Sequence, residues 1–287
     1  MLFDVRNKLT EIPVSSPDFP VEWKGLPDCP KTLYALGNIS LLRAEKLVVV
    51  GARRTPAHAL RLGMQISKEL SSAFVITTGT ADGGDTAAIE GALQGTRRVI
   101  CLLAGGFSAL PQSNLSLLER VTENGLLLSP HPFETEVRAF SYEYRNKLLA
   151  TFSKGVLVLG AAEKSGALIT AKHAKALGKP IFALPYAPGS AAGAGCNKLI
   201  KEGGILTETA EDIASYYGIA LSSKKPQIVL SEDENKVYVA LKECAEGHIT
   251  ELATRAGIPS YKIRSVLSAL EVKGLAVNLG GNRYAPV

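Results

Sequence analysis

The sequence predicts an α/β fold, with an extended Rossmann-like, doubly wound and mostly parallel sheet followed by a small C-terminal winged-helix domain. Six short apolar runs recur between residues 47 and 185, with helix-like segments between them. The runs are continuous rather than alternating, as strands of a parallel sheet covered on both faces require. After Gly218 this pattern stops, and helix, helix, turn, helix and hairpin follow, the order of a winged helix-turn-helix.

Taken in chain order, the pattern divides the protein into four segments. Residues 1–40 are rich in proline and polar groups and are predicted to be an irregular lead-in, and residues 41–218 hold the Rossmann-like domain. Residues 219–232 are predicted to be a linker, and residues 233–287 form the winged helix. The six predicted strands are LVVVGA (47–52), FVITTG (74–79), VICLLAGG (99–106), LLLS (126–129), VLVLGA (156–161) and IFALP (181–185). Five of these runs have Gly, Thr or Ser at or next to their carboxyl end, so the loops there are the expected ligand rim.

Charge and composition narrow the class of protein. The net charge is +5, yet residues 138–201 hold ten Lys and Arg against two acids. Such a stretch indicates a polyanionic partner such as nucleic acid or phosphate, although a solvated lysine face explains it equally well. No apolar run reaches the ~18 residues of a membrane span, and the N-terminus lacks a signal-peptide pattern. The four cysteines are far apart, so we expect a reduced cytoplasmic protein without a metal site or membrane contact.

Two glycine-containing loops follow the first two predicted strands. In VVVGARRTP (48–56), Gly51 permits a tight turn, and Arg53 and Arg54 are predicted to stand at the start of a helix, as in a phosphate site; ordinary surface arginines are the alternative. In TTGTADGGDTAAIEGAL (77–93), a ligand can approach the backbone closely, and Asp85 is placed to cap the helix. The glycines that allow this approach are Gly79, Gly83 and Gly84. The GxxxGG spacing differs from GxGxxG, and GxxxxGK[ST] is absent, which argues against NAD, FAD and ATP hydrolysis.

Two further segments are candidate binding loops. In FSYEYRNKLL, the trio Arg145, Asn146 and Lys147 follows two tyrosines, and both cations are expected to face the rim. Cations that track phosphates beside rings that stack on bases suit a single strand, while core tyrosines at an ordinary helix start are the alternative. In EKSGALITAKHA, first-turn amides at a helix start could bind a phosphate. The residues concerned there are Ser165, Gly166 and Thr170.

A catalytic set is missing from the sequence. Ser165 lacks a GxSxG context, and His58, His131 and His248 have no evident triad partners. The residues by themselves therefore indicate neither a catalytic centre nor a cofactor site.

Taken in series, these loops resemble the DNA-processing protein A family (DprA, also called Smf). VVVGARRTP is similar to the family's VGsRr loop, TTGTADGGDTAAIEGAL to SGlArGID…H…AL, RNKLLATFS to RNRiiAgLS, SGALITAKHA to SGsLiTA..A, and GCNKLIKEGGIL to G.N.LI..GA. The resemblance spans about residues 18–287. It implies an extended Rossmann fold without catalysis, single-stranded DNA binding, a homodimer through the Rossmann domain, and loading of a RecA-type recombinase during natural transformation.

The resemblance also assigns roles to residues and marks departures from the family. It implies DNA contacts at Arg53, Arg54, Arg145, Asn146 and Lys147, a pocket shaped by Gly51, Gly79, Gly83 and Gly84, and further lining by Asn114, Ser165, Gly166 and Thr170. The family's arginine in SGlArGID is Asp82 here, its histidine is Ile89, a family glutamate is Gly160, and the lysine often found near Asn114 is missing. These departures leave the fold intact and bear on DNA affinity or strand preference.

Two other functions remain open at the level of sequence. One is a nucleotide-binding enzyme of the same superfamily, similar to phosphoribohydrolases, although the PGGxGTxxE loop of that group is absent. The other is a ligand-sensing regulator that binds duplex DNA through its winged helix. Residues 221–287 hold nine Lys and Arg against seven acids, and duplex binders concentrate more positive charge, so we expect an accessory or protein–protein role for this domain.

Overall fold

The computed structural model describes residues 5–221 and 230–286, and the chain divides into two units, Met1–Ser222 and Ser223–Val287. The first unit is built on a nine-stranded sheet. All six predicted strands are present as its parallel centre: β3 (Lys46–Val50), β4 (Val75–Thr78), β5 (Val99–Leu102), β6 (Leu126–Ser129), β7 (Val156–Val158) and β8 (Ile181–Ala183). The predicted doubly wound fold is therefore confirmed.

The prediction of an irregular lead-in over residues 1–40 is wrong. This segment supplies β1 (Thr10–Pro13) and β2 (Thr32–Gly37), and β2 pairs antiparallel with both β1 and β6. Between them the short helix α1 (Val21–Lys24) places Trp23, which is fully buried and donates its indole N–H to the Leu148 carbonyl at 3.0 Å. The prolines punctuate the segment, but TLYALG buries alternate side chains, which is the period-2 pattern of a strand with one buried face.

The direction of strand order reverses once within the sheet. A two-residue strand, β9 (Ile205–Leu206), closes the far edge, and the order is β1-β2-β6-β5-β4-β3-β7-β8-β9. From β3 the chain proceeds outward in one direction, and from β7 it proceeds in the other. The crevice at the carboxyl ends of β3 and β7 is therefore the topological switch point, where open α/β sheets bind their ligands.

Helices cover both faces of this sheet. Alternate residues of β3 point to opposite cores, Val48 and Val50 to one and Leu47 and Val49 to the other. The helices are α2 (Ala57–Leu70), α3 (Gly84–Gln94), α4 (Leu115–Thr122), α5 (Ala139–Phe152), α6 (Ala167–Ala176), α7 (Ala194–Lys201) and α8 (Ala210–Tyr216). Side chains of α5, α6 and α7 pack on the Val48 face, and those of α2, α3, α4 and α8 pack on the Leu47 face. Ile89 belongs to the second core and is fully buried, so it takes no part in the ligand rim.

The second unit is the predicted winged helix. It consists of α9 (Glu232–Cys244), β10 (Gly247–His248), α10 (Ile249–Ala256), α11 (Ile263–Val272), β11 (Ala276–Gly280) and β12 (Arg283–Pro286), with β12 in the middle of its three-stranded sheet. Gly257 ends α10 with a left-handed φ of 66°, the conformation that a helix C-terminus most readily takes at glycine. Of the predicted linker 219–232, residues 222–229 lie outside the described residues.

None of the helices in the described ranges is both long enough and apolar enough to cross a membrane.

Candidate nucleic-acid interface

A cavity of about 270 Å³ lies at the switch point, beside the end of β3 and the starts of α5 and α6. Seven of the predicted site residues line it: Gly51, Arg53, Arg145, Asn146, Ser165, Gly166 and Thr170. The structure therefore brings all four predicted loops together, the second of them through Ala81 and Asp85. Arg54, Gly79, Gly83, Gly84, Asn114 and Lys147 do not line this cavity.

The floor of this switch-point cavity is a buried ionic cluster. Arg145 is 6% exposed, so the prediction that it faces the rim is wrong. Its Nε donates to Asn146 Oδ1 at 2.9 Å, one terminal nitrogen donates to the Leu102 carbonyl at 3.2 Å, and the same nitrogen lies 4.0 Å from the Asp85 carboxylate. Burial is the main influence on both charges: it raises the pKa of the Asp85 carboxyl and lowers that of the Arg145 guanidinium, and each partner's charge opposes the shift.

Asp85 is the residue of this cluster whose role the sequence does not reveal. It was expected to cap a helix, but α3 has Gly83 at its cap position, and the Asp85 carboxylate instead accepts from the Ala81 N–H at 3.2 Å. Asp85 lies among small residues at the start of α3, with Gly84 before it and Ala87 and Ala88 after it, and this context is the sequence signal that it is buried.

The predicted pocket glycines allow close contacts within the chain, and Gly51 among them also lines the cavity. A Cβ at Gly84 would overlap the backbone of Gly51, so these two loops touch each other directly. A Cβ at Gly79 would overlap the Arg145 guanidinium, and Gly83 has a positive φ of 83°. The glycines thus hold two strand-end loops against each other and make room for the ionic cluster.

The loop at the start of α6 is also largely satisfied by its own contacts. The N–H of Ala167 donates to Ser165 Oγ at 3.3 Å, and the next two amides donate to carbonyls of Ser165 and Gly166. These amides are therefore not a free phosphate cradle, contrary to the prediction. The loop does supply one open group, because the fully buried Thr170 hydroxyl lines the cavity and has no hydrogen-bond partner within the described residues.

Free positive charge lies at the mouth of the cavity. Arg53, Arg54 and Lys164 are exposed in turns that follow β3 and β7, and within the ranges that the structure describes their side chains have no ion pair or hydrogen bond. The two arginines precede the helix rather than start it, since α2 begins at Ala57. Only Arg53 of the three lines the cavity.

Much of the predicted basic stretch is neutralised elsewhere. Lys147 Nζ lies 2.6 Å from Asp28 and does not line the cavity, so it does not converge with Arg53 as expected. Lys154 pairs with Glu45 at 3.1 Å, and Lys175 pairs with Glu202 at 3.1 Å. Arg53 lines the cavity, and Arg54 and Lys164 are the unpaired cations next to lining residues in the described chain, so the charge there does not come from the whole run of residues 138–201.

A second cavity of about 200 Å³ adjoins the first. Arg53 and Tyr142 line both, and Asp82 lines only the second. Asn114 does not face either cavity: it is buried and donates its side-chain amide to the Thr80 carbonyl at 3.0 Å, which fixes the loop that carries Asp82. The two cavities therefore lie side by side along the carboxyl edge of the sheet, and together they are called the groove below.

The fold and the site together define a doubly wound α/β protein with a cationic, anion-receptive switch point, joined to a winged helix. The sequence profile of the family described as DNA recombination-mediator protein A matches residues 11–218. The chain belongs to this family, as the resemblance of its loops implied. A second profile, described as sugar-specific transcriptional regulator TrmB, matches residues 227–286.

Individual relatives agree with this assignment. The chain is 34% identical over 208 residues to the DNA processing protein DprA of Bacillus subtilis, which covers 71% of this chain and 70% of that protein. It is 31% identical over 275 residues to protein Smf of Escherichia coli, covering 92% of this chain and 74% of that protein.

Two solved structures share the fold. The X-ray structure of DprA from Streptococcus pneumoniae matches with a TM-score of 0.69 and 28% identity, over 74% of this chain and 76% of that one. The structure of DNA processing protein A from Helicobacter pylori, described for its single-stranded DNA binding mode, matches with a TM-score of 0.66 and 26% identity, over 74% of this chain and 98% of that one.

Proposed function

We propose that this protein binds single-stranded DNA in the groove at the carboxyl edge of its sheet and loads a RecA-type recombinase onto that strand in natural transformation and recombination. It acts in the cytoplasm, by binding rather than by catalysis. The observation that carries the proposal is Arg53, an exposed guanidinium without an ion pair within the described residues, at the junction of two cavities on the switch point. Arginine is a strong ligand for phosphate because its planar donors match phosphate oxygens in pairs.

The shape of the groove favours a single strand over a duplex. Cavities of about 270 and 200 Å³ accept a phosphate or a base, whereas a duplex keeps its bases stacked inside. Tyr142 borders both cavities and is 38% exposed, so its ring is available to stack on a base. The single-stranded DNA binding described for the Helicobacter pylori relative supports the same choice.

The lining also favours binding over hydrolysis. Among the described residues, Asp85 is the one acid that lines the switch-point cavity, and it is buried and paired with Arg145. The Asp85 carboxylate is already held by the Ala81 N–H and faces the Arg145 guanidinium, and the described lining offers no second acid to act with it, which argues against a phosphoribohydrolase-like activity.

The described residues of the winged-helix unit carry less free positive charge than a domain that binds duplex DNA usually does. Five of its basic side chains are paired with acids of the same unit: Lys236 with Glu232, Arg255 with Glu251, Lys262 with Asp233, Lys273 with Glu234, and Arg283 with Glu246. Since phosphate neutralisation supplies most of the affinity for a duplex, this pairing argues against a regulator that binds DNA through this unit. Its function in our proposal is an accessory contact or a protein–protein contact.

A homodimer through the Rossmann unit completes the proposal. The edge strand β9 exposes Leu206, and the end of α8 exposes Tyr216, which are 47% and 54% exposed. Apolar side chains on an uncovered sheet edge favour pairing with another chain. The recombinase partner rests on membership of the family alone.

The test of the proposal is binding to a labelled oligonucleotide, single-stranded and in duplex form, across a salt series. We expect tighter binding of the single strand and a steep loss of affinity with salt. Equal or tighter binding of the duplex would overturn the proposal and favour the regulator.

A further inference from the structure

The second cavity has a chemistry that a phosphate-binding groove does not explain. Asp82 lies there, exposed, in the turn between β4 and α3. Its Oδ1 accepts from the Ser113 hydroxyl at 3.0 Å, which holds the carboxylate in place, and its Oδ2 has no hydrogen bond within the described residues. A fixed carboxylate repels a phosphate, so a strand that crosses this cavity must present a different group to it.

The walls of this cavity suit a nucleobase. They are apolar side chains and small residues, among them Leu103, Ala104 and Pro111, with the Tyr142 ring at the boundary to the switch-point cavity. The volume of about 200 Å³ is below the roughly 300 Å³ at which pockets for drug-sized molecules begin, which leaves room for one planar base. Bases of single strands are commonly splayed into such pockets and read on their Watson–Crick edges.

The polar groups of the cavity match one base best. An ionised aspartate only accepts hydrogen bonds, and an arginine only donates them. Guanine presents two adjacent donors, N1–H and the 2-amino group, beside the O6 acceptor. Cytosine and adenine each offer one amino group, and thymine offers a single N–H between two carbonyl oxygens. Asp82 and Arg53, which line the same cavity, therefore complement guanine at both its donors and its acceptor.

We propose that the second cavity is a guanine pocket, in which Asp82 accepts from N1–H and the 2-amino group. Arg53, which lines both cavities, donates to O6 with one of its five N–H groups and keeps the others for a phosphate. This inference rests on the proposed single-strand binding and adds a base preference to it.

The experiment measures binding by fluorescence anisotropy to labelled thymidine oligonucleotides that differ at one central base. A strand with one dG should bind about tenfold tighter than the all-thymidine strand, within the range of a good carboxylate or guanidinium contact to a base. Inosine in place of that dG lacks the 2-amino group and should lose most of the gain. Adenine and cytosine at the same position should fall between thymine and guanine.

Two variants identify the source of the preference. Asp82→Asn should bring the dG and all-thymidine strands to the same affinity and raise the affinity for the latter, because a negative charge near the backbone is removed. Glu119→Gln removes an exposed charge from α4 of the same unit, and it should keep the dG preference. A dG preference that persists in Asp82→Asn, or equal binding of all strands by the parent, would overturn the guanine pocket and leave the proposed function standing. Failure of the parent to bind any of these strands would overturn both.

Discussion

Replacing Arg145 with alanine is expected to destabilise the Rossmann unit, because this guanidinium belongs to the buried cluster. The change removes the partner of the Asp85 carboxylate and the donor to Asn146 Oδ1 and to the Leu102 carbonyl. Breaking a buried pair by deleting one partner costs about 3–5 kcal/mol, since the other charge stays buried without compensation. In a unit of this size 1 kcal/mol shifts the melting temperature by about 2–4 °C, so we expect a fall of roughly 6–20 °C.

Thermal unfolding of the full chain, followed by circular dichroism, measures this effect. Arg53→Ala is the matched control: its side chain is exposed and without an ion pair among the described residues, and its stability should stay within about 0.5 kcal/mol of the parent. The double variant Arg145→Ala with Asp85→Ala should lose less than the sum of the two single losses, because the stranded charge is gone. A fall of less than about 3 °C for Arg145→Ala would refute the buried cluster.

Two further predictions concern stability. Burial lowers the pKa of His131, so the unfolded chain binds a proton more readily than the folded one, and stability should fall as the pH drops below about 6.5. His131→Gln should lessen that fall. Urea unfolding midpoints that depend on pH equally in parent and variant would contradict this prediction. Gly84→Ala should lower both stability and DNA binding, because its Cβ overlaps the backbone of Gly51, whereas Gly166→Ala meets nothing within 4 Å and should fold like the parent. Equal melting temperatures of the two alanine variants would show that the loops do not touch as described.

The sequence predicts the central sheet well because buried parallel strands leave continuous apolar runs. This criterion misses the first two strands, because β1 and β2 are short, lie among prolines and pair antiparallel at the edge of the sheet. The alternation in β2 is one of burial in the folded protein, and its residues TLYALG do not show it in the sequence. The winged helix is predictable from its helical spacing and from the turn at Gly257.

The sequence predicts the candidate site correctly where residues lie in loops at strand ends. The prediction fails where the outcome depends on which face of a helix a residue occupies. Arg53 follows a strand directly and lies at the rim as expected. Arg145 is three and four residues before Leu148 and Leu149, so helical spacing already places it on their core-facing side. Lys147 pairs with Asp28, which is 119 residues away, and no local pattern reveals such a contact.

The central claim is that the phosphates of a single strand are held at the carboxyl edge of the sheet. The most direct test is to measure how the binding of a single strand by Arg53→Ala depends on salt. Arg98→Ala is the matched control, because Arg98 directly precedes β5 at the opposite edge and has no ion pair within the described ranges. We predict that Arg53→Ala weakens binding to every sequence and flattens the slope of log affinity against log salt by about 0.7, one phosphate contact of a single strand, while Arg98→Ala binds like the parent. Affinities and slopes for Arg53→Ala that equal those of the parent would contradict the account.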